Sequence, residues 1–312
     1  MKEITLFWSN ICVLHRFEKA YLAETEKKLA LKGIKLKVVH FGIGYPSRMK
    51  EHIEKTKEIP DLIVSTDLEV FEDKRVFSLF ENELYDLSGV YRLKDEIKGS
   101  NICQYKKLLP FLVIPLVFVY NNSFNKKQAL SLASIINESG VAFGGIGNSG
   151  AKSVIKILWS IFGKEKTAEF AKRSVISQMP VGAFHEVKKS GANICITPSL
   201  YARTADGKTL YREYGEGGAV AIPSYVAAIK RKDSQTGFDA LKAVTDEILS
   251  KDFCDYFVSD GDLYCPLKES KDNAFVSKNG AKFLYPDSEW FKNTSSEEFN
   301  ELYEDIIRAA AK

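Results

Sequence analysis

The first 65 residues alternate between strand and helix patterns, and this alternation restricts the fold more than any other feature of the chain. Residues 3–9, EITLFWS, read as a strand. Residues 15–33, HRFEKAYLAETEKKLALKG, are rich in helix formers and stop at Gly33, a residue favoured just past a helix C-terminus. IKLKVVHFG (34–42) is strand-like, SRMKEHIEKTKEI (47–59) helical, and PDLIVS (60–65) strand-like again. Strands separated by helices of this length form a parallel, doubly wound sheet, because each crossover helix must cover one face. Ligands of such sheets sit beyond the carboxyl ends of the strands. Those ends are Ser9–Asn10, FGIG at 41–44, and Ser65–Thr66 with Asp67.

After a less regular region, 71–107, comes LLPFLVIPLVFVY (108–120). It is too short and too proline-broken to span a bilayer and reads as a buried strand. A second alternation follows: KKQALSLASIINESG (126–140) as helix, VAFGG (141–145) as strand, a helix after the GIGNSG turn, and another over 164–176. ANICITPSLY (192–201) and AVAIPSYVAAIK (219–230) are strands. FDALKAVTDEILSKDFCDYF (238–257) is one amphipathic helix, and SSEEFNELYEDIIRAAA (295–311) is a last helix with Ser296 as its cap. A chain of 312 residues exceeds what one core usually organises, so two lobes are expected. With no serine- or proline-rich linker, strands must join them.

The turn before the helix at 149–162 carries the strongest local signal. Val154, Ile155, Leu158, Trp159 and Phe162 recur on one helical face, Asn148 or Ser149 can cap the N-terminus, and Gly163 ends it. The free N–H groups and positive dipole end then face an anion. Nucleotide motifs do not fit. The phosphate-loop frame from Gly145 puts Ala151 where lysine is required. Gly145, Gly147 and Gly150 match G-x-G-x-x-G, yet no acid follows a second strand about twenty residues on. A tight turn without a ligand is the alternative.

Composition excludes some function classes. Charged residues are 27% and net charge is +3, with no basic stripe interleaved with aromatics, so no nucleic-acid partner is expected. The five cysteines form no C-x-x-C and no zinc spacing, although a Cys254–Cys265 bridge stays open. There is no G-x-S-x-G, no H-E-x-x-H and no paired carboxylate motif, so no enzyme is expected. Cys12, following a strand with His15 three residues on, is the basis of one alternative from another class, a Cys-nucleophile enzyme. Met1-Lys2-Glu3 runs straight into a strand without an export segment. The location is cytoplasmic if the chain is complete as written, and extracytoplasmic if a leader was removed.

Four segments carry a family resemblance. PDLIVSTDLEVFED (60–73) and FDALKAVTDEILSKDFCDYF resemble segments of bacterial extracellular solute-binding proteins of ABC transporters. LVIPLVFVYN (112–121) and GGAVAIPSYVAAIK (217–230) resemble their two interlobe strands. The resemblance covers most of the chain in order and spacing, is nearest to the ferric-iron and anion-like branch, and departs at the missing leader and the free cysteines. It implies a type II periplasmic-binding-protein fold: two doubly wound α/β lobes joined by two crossover strands, with a ligand cleft between them. Lobe one would be 1–117 plus 226–312, and lobe two 118–225. It further implies a monomer without cofactor that delivers its solute to a membrane permease.

Mapped onto that cleft, the expected ligand-facing residues are Ser9, Asn10, Ser65 and Thr66 from lobe one, and Tyr120 and Asn121 from the first crossover. Lobe two would supply Asn148, Ser149, Gly150, Ser199 and Tyr201, and the return crossover Tyr225 beside Ser224. Neutral donors at a helix N-terminus favour a small anion, inorganic or a carboxylate. Ferric iron is the alternative, but the fourteen tyrosines include no adjacent pair, and no metal ligands are expected. Gly147 and Gly150 are expected to let the backbone approach the ligand.

Overall fold

Strand β1 (Lys2–Ser9) pairs in parallel with β2 (Ile34–Phe41) on one side and β3 (Leu62–Ser65) on the other. Helices α1 (His15–Leu31) and α2 (Met49–Thr56) make the crossovers. The computed structural model describes residues 2–11, 14–42, 44–126, 128–230 and 237–310. Cys12, on which the enzyme alternative depends, lies outside them. Alternate β1 side chains enter two cores, as strand periodicity requires. Ile4, Leu6 and Trp8 pack with Leu22 and Leu29 of α1, while Phe7 packs with Phe41, Met49 and Ile53. Glu18, Leu22, Thr25 and Leu29 form the buried stripe of α1, at steps of four, three and four.

The chain continues through α3 (Glu69–Glu72) and α4 (Lys74–Phe77) into β4 (Leu109–Asn121), and then α5 (Leu132–Ile135), β5 (Val141–Gly144), α6 (Ser149–Phe162), α7 (Lys164–Lys172) and β6 (Val175–Ser177). Next come α8 (Pro180–Lys188), β7 (Ile194–Pro198), α9 (Ser199–Ala202), β8 (Leu210–Glu213) and β9 (Ala219–Ala228). The remainder is α10 (Phe238–Ile248), α11 (Lys251–Ser259), α12 (Ala274–Ser277), β10 (Phe283–Leu284), α13 (Ser288–Asn293) and α14 (Ser296–Ala310).

The strand order is β2-β1-β3-β9-β4-β7-β5-β6, with β10 on β9 and β8 on β4. This is two α/β lobes joined by two crossover strands. β4 and β9 pair antiparallel from Leu109–Val226 to Leu116–Val220. Past one end of this band, β9 continues alone beside β3; past the other, β4 continues beside β7. In the second lobe β7, β5 and β6 run parallel.

Several local expectations are corrected. Among the described residues, the helix expected over 126–140 is only α5, which starts where the Ser131 hydroxyl accepts from the Ser134 N–H at 3.1 Å. The helix expected over 164–176 ends at Lys172, and Val175–Ser177 pairs with β5, where its β-branched side chains suit a strand. Helix α8, opened by Pro180 in its first turn, was not anticipated. The segment 238–257 is two helices, because Ser250 caps a new one by accepting from the Phe253 N–H. Ser295 rather than Ser296 caps the last helix, accepting from the Glu298 N–H at 3.0 Å. That helix, α14, packs on α6, α7 and β6 of the second lobe, with Phe299, Leu302, Tyr303 and Ile306 buried, and its Glu297 pairs with Arg75 of the first lobe at 3.3 Å.

Cys254 and Cys265 are buried, unbridged thiols, near the Leu249 and Phe111 carbonyls respectively. Among the described residues no helix is long and apolar enough to cross a membrane.

Candidate functional site: the interlobe cleft

A cavity of about 310 Å³ opens where the two lobes face each other. Its floor is the crossover band: Ile114 of β4 and Ile222 of β9, direct partners in register, both line it. All three strand ends of lobe one reach it, through Ser9, Asn10 and Ile11 after β1, Gly42 and Tyr45 to Met49 after β2, and Thr66 and Asp67 after β3. Lobe two answers with Gly147–Gly150 at the start of α6, with Pro180 and Pro198, and with Leu200 and Tyr201 of α9.

Hydrogen bonds hold the lobe-one loops. Asn10 Nδ2 donates to the Phe41 carbonyl at 3.1 Å, and its Oδ1 lies 3.2 Å from His40 Nδ1. The Ile11 N–H points at both carboxylate oxygens of buried Glu18, at 3.0 and 3.2 Å. Burial pushes Glu18 up to about 8 against the stabilising bonds from the Ile11 N–H, so near neutrality it is largely protonated. Ser9 Oγ lies 3.4 Å from Thr66 Oγ1, tying the ends of β1 and β3.

The glycine turn is built for its own geometry. Asn148 caps α6, its side chain accepting from the Gly150 N–H at 2.8 Å. Gly145 sits at φ +96°, where a side chain is strained. A Cβ at Gly150 would stand 2.6 Å from the Gly144 carbonyl oxygen. Gly150 is therefore required by the turn itself, while a Cβ at Gly147 would meet nothing within 4 Å.

One wall of the cleft is a row of contacts from α6 to lobe one. The Ser149 hydroxyl donates to the Thr66 carbonyl at 2.5 Å. Lys152 pairs with Glu69 at 2.8 Å, and Lys156 with Glu72. Arg48 bridges Asp67 and Glu69, the latter at 2.6 Å, and Tyr285 donates to Glu72 at 2.6 Å. Burial acts to raise Glu69, but the charges of Arg48, Lys152 and Lys156 outweigh it and hold the carboxyl at about 2.

Of the expected site residues, Ser9, Asn10, Thr66, Asn148, Ser149, Gly150 and Tyr201 line the cavity. Five are elsewhere. Ser65 is buried, its hydroxyl accepting from the Asp67 N–H at 2.9 Å to close the turn after β3. Tyr120 and Asn121 end β4; at about 3.3 Å per residue they stand roughly 20 Å from Ile114. Tyr120 stacks on Tyr211, and Asn121 Nδ2 donates to the Val187 and Ala192 carbonyls. Ser199 is buried and donates to the Asp262 carbonyl at 2.6 Å. Tyr225 lies an odd number of residues from Ile222 and so faces away from the cleft; it is buried against Phe71 and Tyr105 and donates to the Ile102 carbonyl at 2.9 Å. Sequence reading missed Tyr45, Arg48 and the apolar walls. The end of β2 was identified as a site position, but the residues that reach the cleft come just after it.

No family model matches the sequence, and no curated protein does. Solved structures do. Iron-bound HitA from Pseudomonas aeruginosa is 16% identical with a TM-score of 0.67, over 98% of this chain and 99% of that one. The periplasmic binding protein P5PA is 13% identical with a TM-score of 0.64, over 99% and 100%. AfuA from Actinobacillus pleuropneumoniae, with fructose-6-phosphate bound, is 13% identical with a TM-score of 0.60, over 100% and 99%. The likeness runs the whole length of each chain and establishes the fold: this is a type II periplasmic-binding-protein fold, with its cleft between the lobes.

Proposed function

We propose that this chain is a solute-binding protein that captures a small anionic solute in the interlobe cleft by hinge closure and hands it to an ABC permease, acting as a monomer outside the cytoplasmic membrane and performing no chemistry. The observation that carries the reading is the two-sided cavity. Ser9, Asn10 and Thr66 line it from one lobe and Asn148, Ser149 and Tyr201 from the other, so a ligand gains its full set of polar contacts only when the lobes are closed. Such differential affinity selects the closed state. The N-terminus of α6 on the cavity wall favours a negative group. In this reading the lobes divide near the expected boundaries, 1–117 and 118–225, with the chain after 226 returning to lobe one and its last segment resting on lobe two. The names of the structural neighbours support a solute-binding role: HitA is described as iron-bound, and AfuA as bound to fructose-6-phosphate.

The test is solution scattering and thermal melting with inorganic anions, carboxylates, sugars and metal ions. A bound solute is expected to raise the melting temperature by mass action and to keep the molecule at its smaller radius. No response to any of these removes the reading. Turnover of thioester or peptide substrates, abolished by Cys12→Ser, would replace it with the enzyme.

A further inference from the structure

We infer that the solute is a compact organic monocarboxylate with an apolar body, and that the Tyr45 hydroxyl donates a hydrogen bond to its carboxylate. The inference rests on the solute-binding reading above and narrows it to a chemical class.

The first ground is the wall chemistry. A cavity of about 310 Å³ is within the range of small-molecule sites. Ile11, Ile114, Leu200, Ile222 and Leu263 line it, from lobe one, the crossover floor and lobe two alike. Apolar walls on every side reward a ligand that has apolar surface to bury. A bare oxyanion or a metal ion gains nothing from them.

The second ground is charge. Among the described residues lining the cavity, Arg48 is the one basic side chain, and both Asp67 and Glu69 already engage it. Asp67 and Glu51 line the same space. A doubly charged oxyanion would meet two acids and a neutralised guanidinium. A single carboxylate can be satisfied by neutral hydroxyls, amides and N–H groups. Among the described residues no group of three or more His, Cys, Asp or Glu is placed to hold a metal ion.

The third ground is Tyr45. Its ring lies on the cavity wall, fixed against His40 at 5.8 Å with the Lys19 ammonium 5.0 Å from its centroid. Its hydroxyl is buried and, among the described residues, makes no hydrogen bond. Buried hydroxyls are nearly always partnered, because an unmade bond leaves their desolvation uncompensated. A ligand carboxylate becomes such a partner when its entry shifts the loop after β2 and uncovers the hydroxyl.

The experiment is calorimetric titration with acetate, isovalerate, phenylacetate, phosphate, sulfate and ferric citrate, on the wild type and on Tyr45→Phe. Affinity is expected to rise at least about ten-fold from acetate to phenylacetate as apolar bulk is added. Phosphate and sulfate are expected to bind more weakly than phenylacetate. Tyr45→Phe should lower phenylacetate affinity about ten-fold, while its ligand-free melting temperature holds or rises because an unpaired buried hydroxyl is gone. Tightest binding of phosphate, sulfate or ferric citrate would overturn the class and leave a solute-binding protein. Unchanged phenylacetate affinity in Tyr45→Phe would overturn the role of Tyr45. If none of the probes binds, the monocarboxylate class is overturned, and the wider panel of sugars and metal ions decides whether the solute-binding reading stands.

Discussion

Lys152 Nζ lies 2.8 Å from Glu69 Oε2, and the two residues belong to opposite lobes. The pair is the middle of a matched row. Ser149, Lys152 and Lys156, on one face of α6, meet Thr66, Glu69 and Glu72 in order. Both ion pairs are nearly buried, with side-chain exposures of 12% and 12% for the first and 7% and 5% for the second. The helix whose first turn lines the cavity thus also carries the cations that pair with acids of the other lobe.

Removing one partner of such a pair leaves the other charge desolvated and unpaired. Lys152→Ala is expected to destabilise the closed form by about 3 kcal/mol and to enlarge the radius of gyration in scattering. The exchange Lys152→Glu with Glu69→Lys should recover part of the loss. An unchanged radius and melting temperature in Lys152→Ala would show that the row does not hold the lobes.

The pH dependence of closure follows from Glu69. Its carboxyl is held at about 2 in the folded molecule, below its ordinary 4.5. A depressed acid contributes stability that is present above the ordinary value and is lost as the pH falls toward the depressed one. Closure should therefore weaken progressively between about pH 4.5 and pH 2, read as a growing radius ahead of global unfolding by circular dichroism. In Glu69→Gln this opening should already be present at pH 6.

Glu18 has the opposite sign. Its folded value of about 8 lies above the ordinary 4.5, so the folded protein binds the proton more tightly. Its contribution is full below about pH 4.5 and is lost as the pH rises toward 8. Glu18→Gln keeps an acceptor for the Ile11 N–H and removes the buried charge. It should melt like the wild type at pH 5 and above it at pH 8. Equal melting at both would mean Glu18 is not buried as a proton-holding group.

The glycine turn separates by substitution. Gly150→Ala is expected to cost about 1–3 kcal/mol in stability, because its Cβ meets the Gly144 carbonyl. Gly147→Ala, with open space around it, should melt within about 0.5 kcal/mol of the wild type. Equal effects at both positions would refute the close approach at Gly150.

Ferric citrate should give no visible tyrosinate–iron band. Tyr225 is buried away from the cleft, and the phenols that line it are Tyr45 and Tyr201, one from each lobe. A strong band lost on Tyr201→Phe or Tyr45→Phe would restore iron as the cargo.

What the sequence determined by itself was whatever local periodicity and capping encode. The β1-α1-β2-α2-β3 run was legible because each element has its own repeat, and α6 because Asn148, an apolar stripe and Gly163 mark its start, face and end. Ser9, Asn10, Thr66 and the α6 N-terminus could be placed in a cleft because strand ends and helix starts are local features of the chain. Tertiary structure alone decided the rest. Tyr120 and Tyr225 look like cleft residues in a linear reading, but distance along β4 excludes one and strand face excludes the other. Tyr45 reaches the cleft only through the path of the loop after β2. Glu69 and Lys152, 83 positions apart, meet only because the crossover strands bring α6 down onto α3. Local interactions depend on neighbours in the chain; a site between two lobes depends on how both lobes pack, and that is settled by contacts no short window of sequence contains.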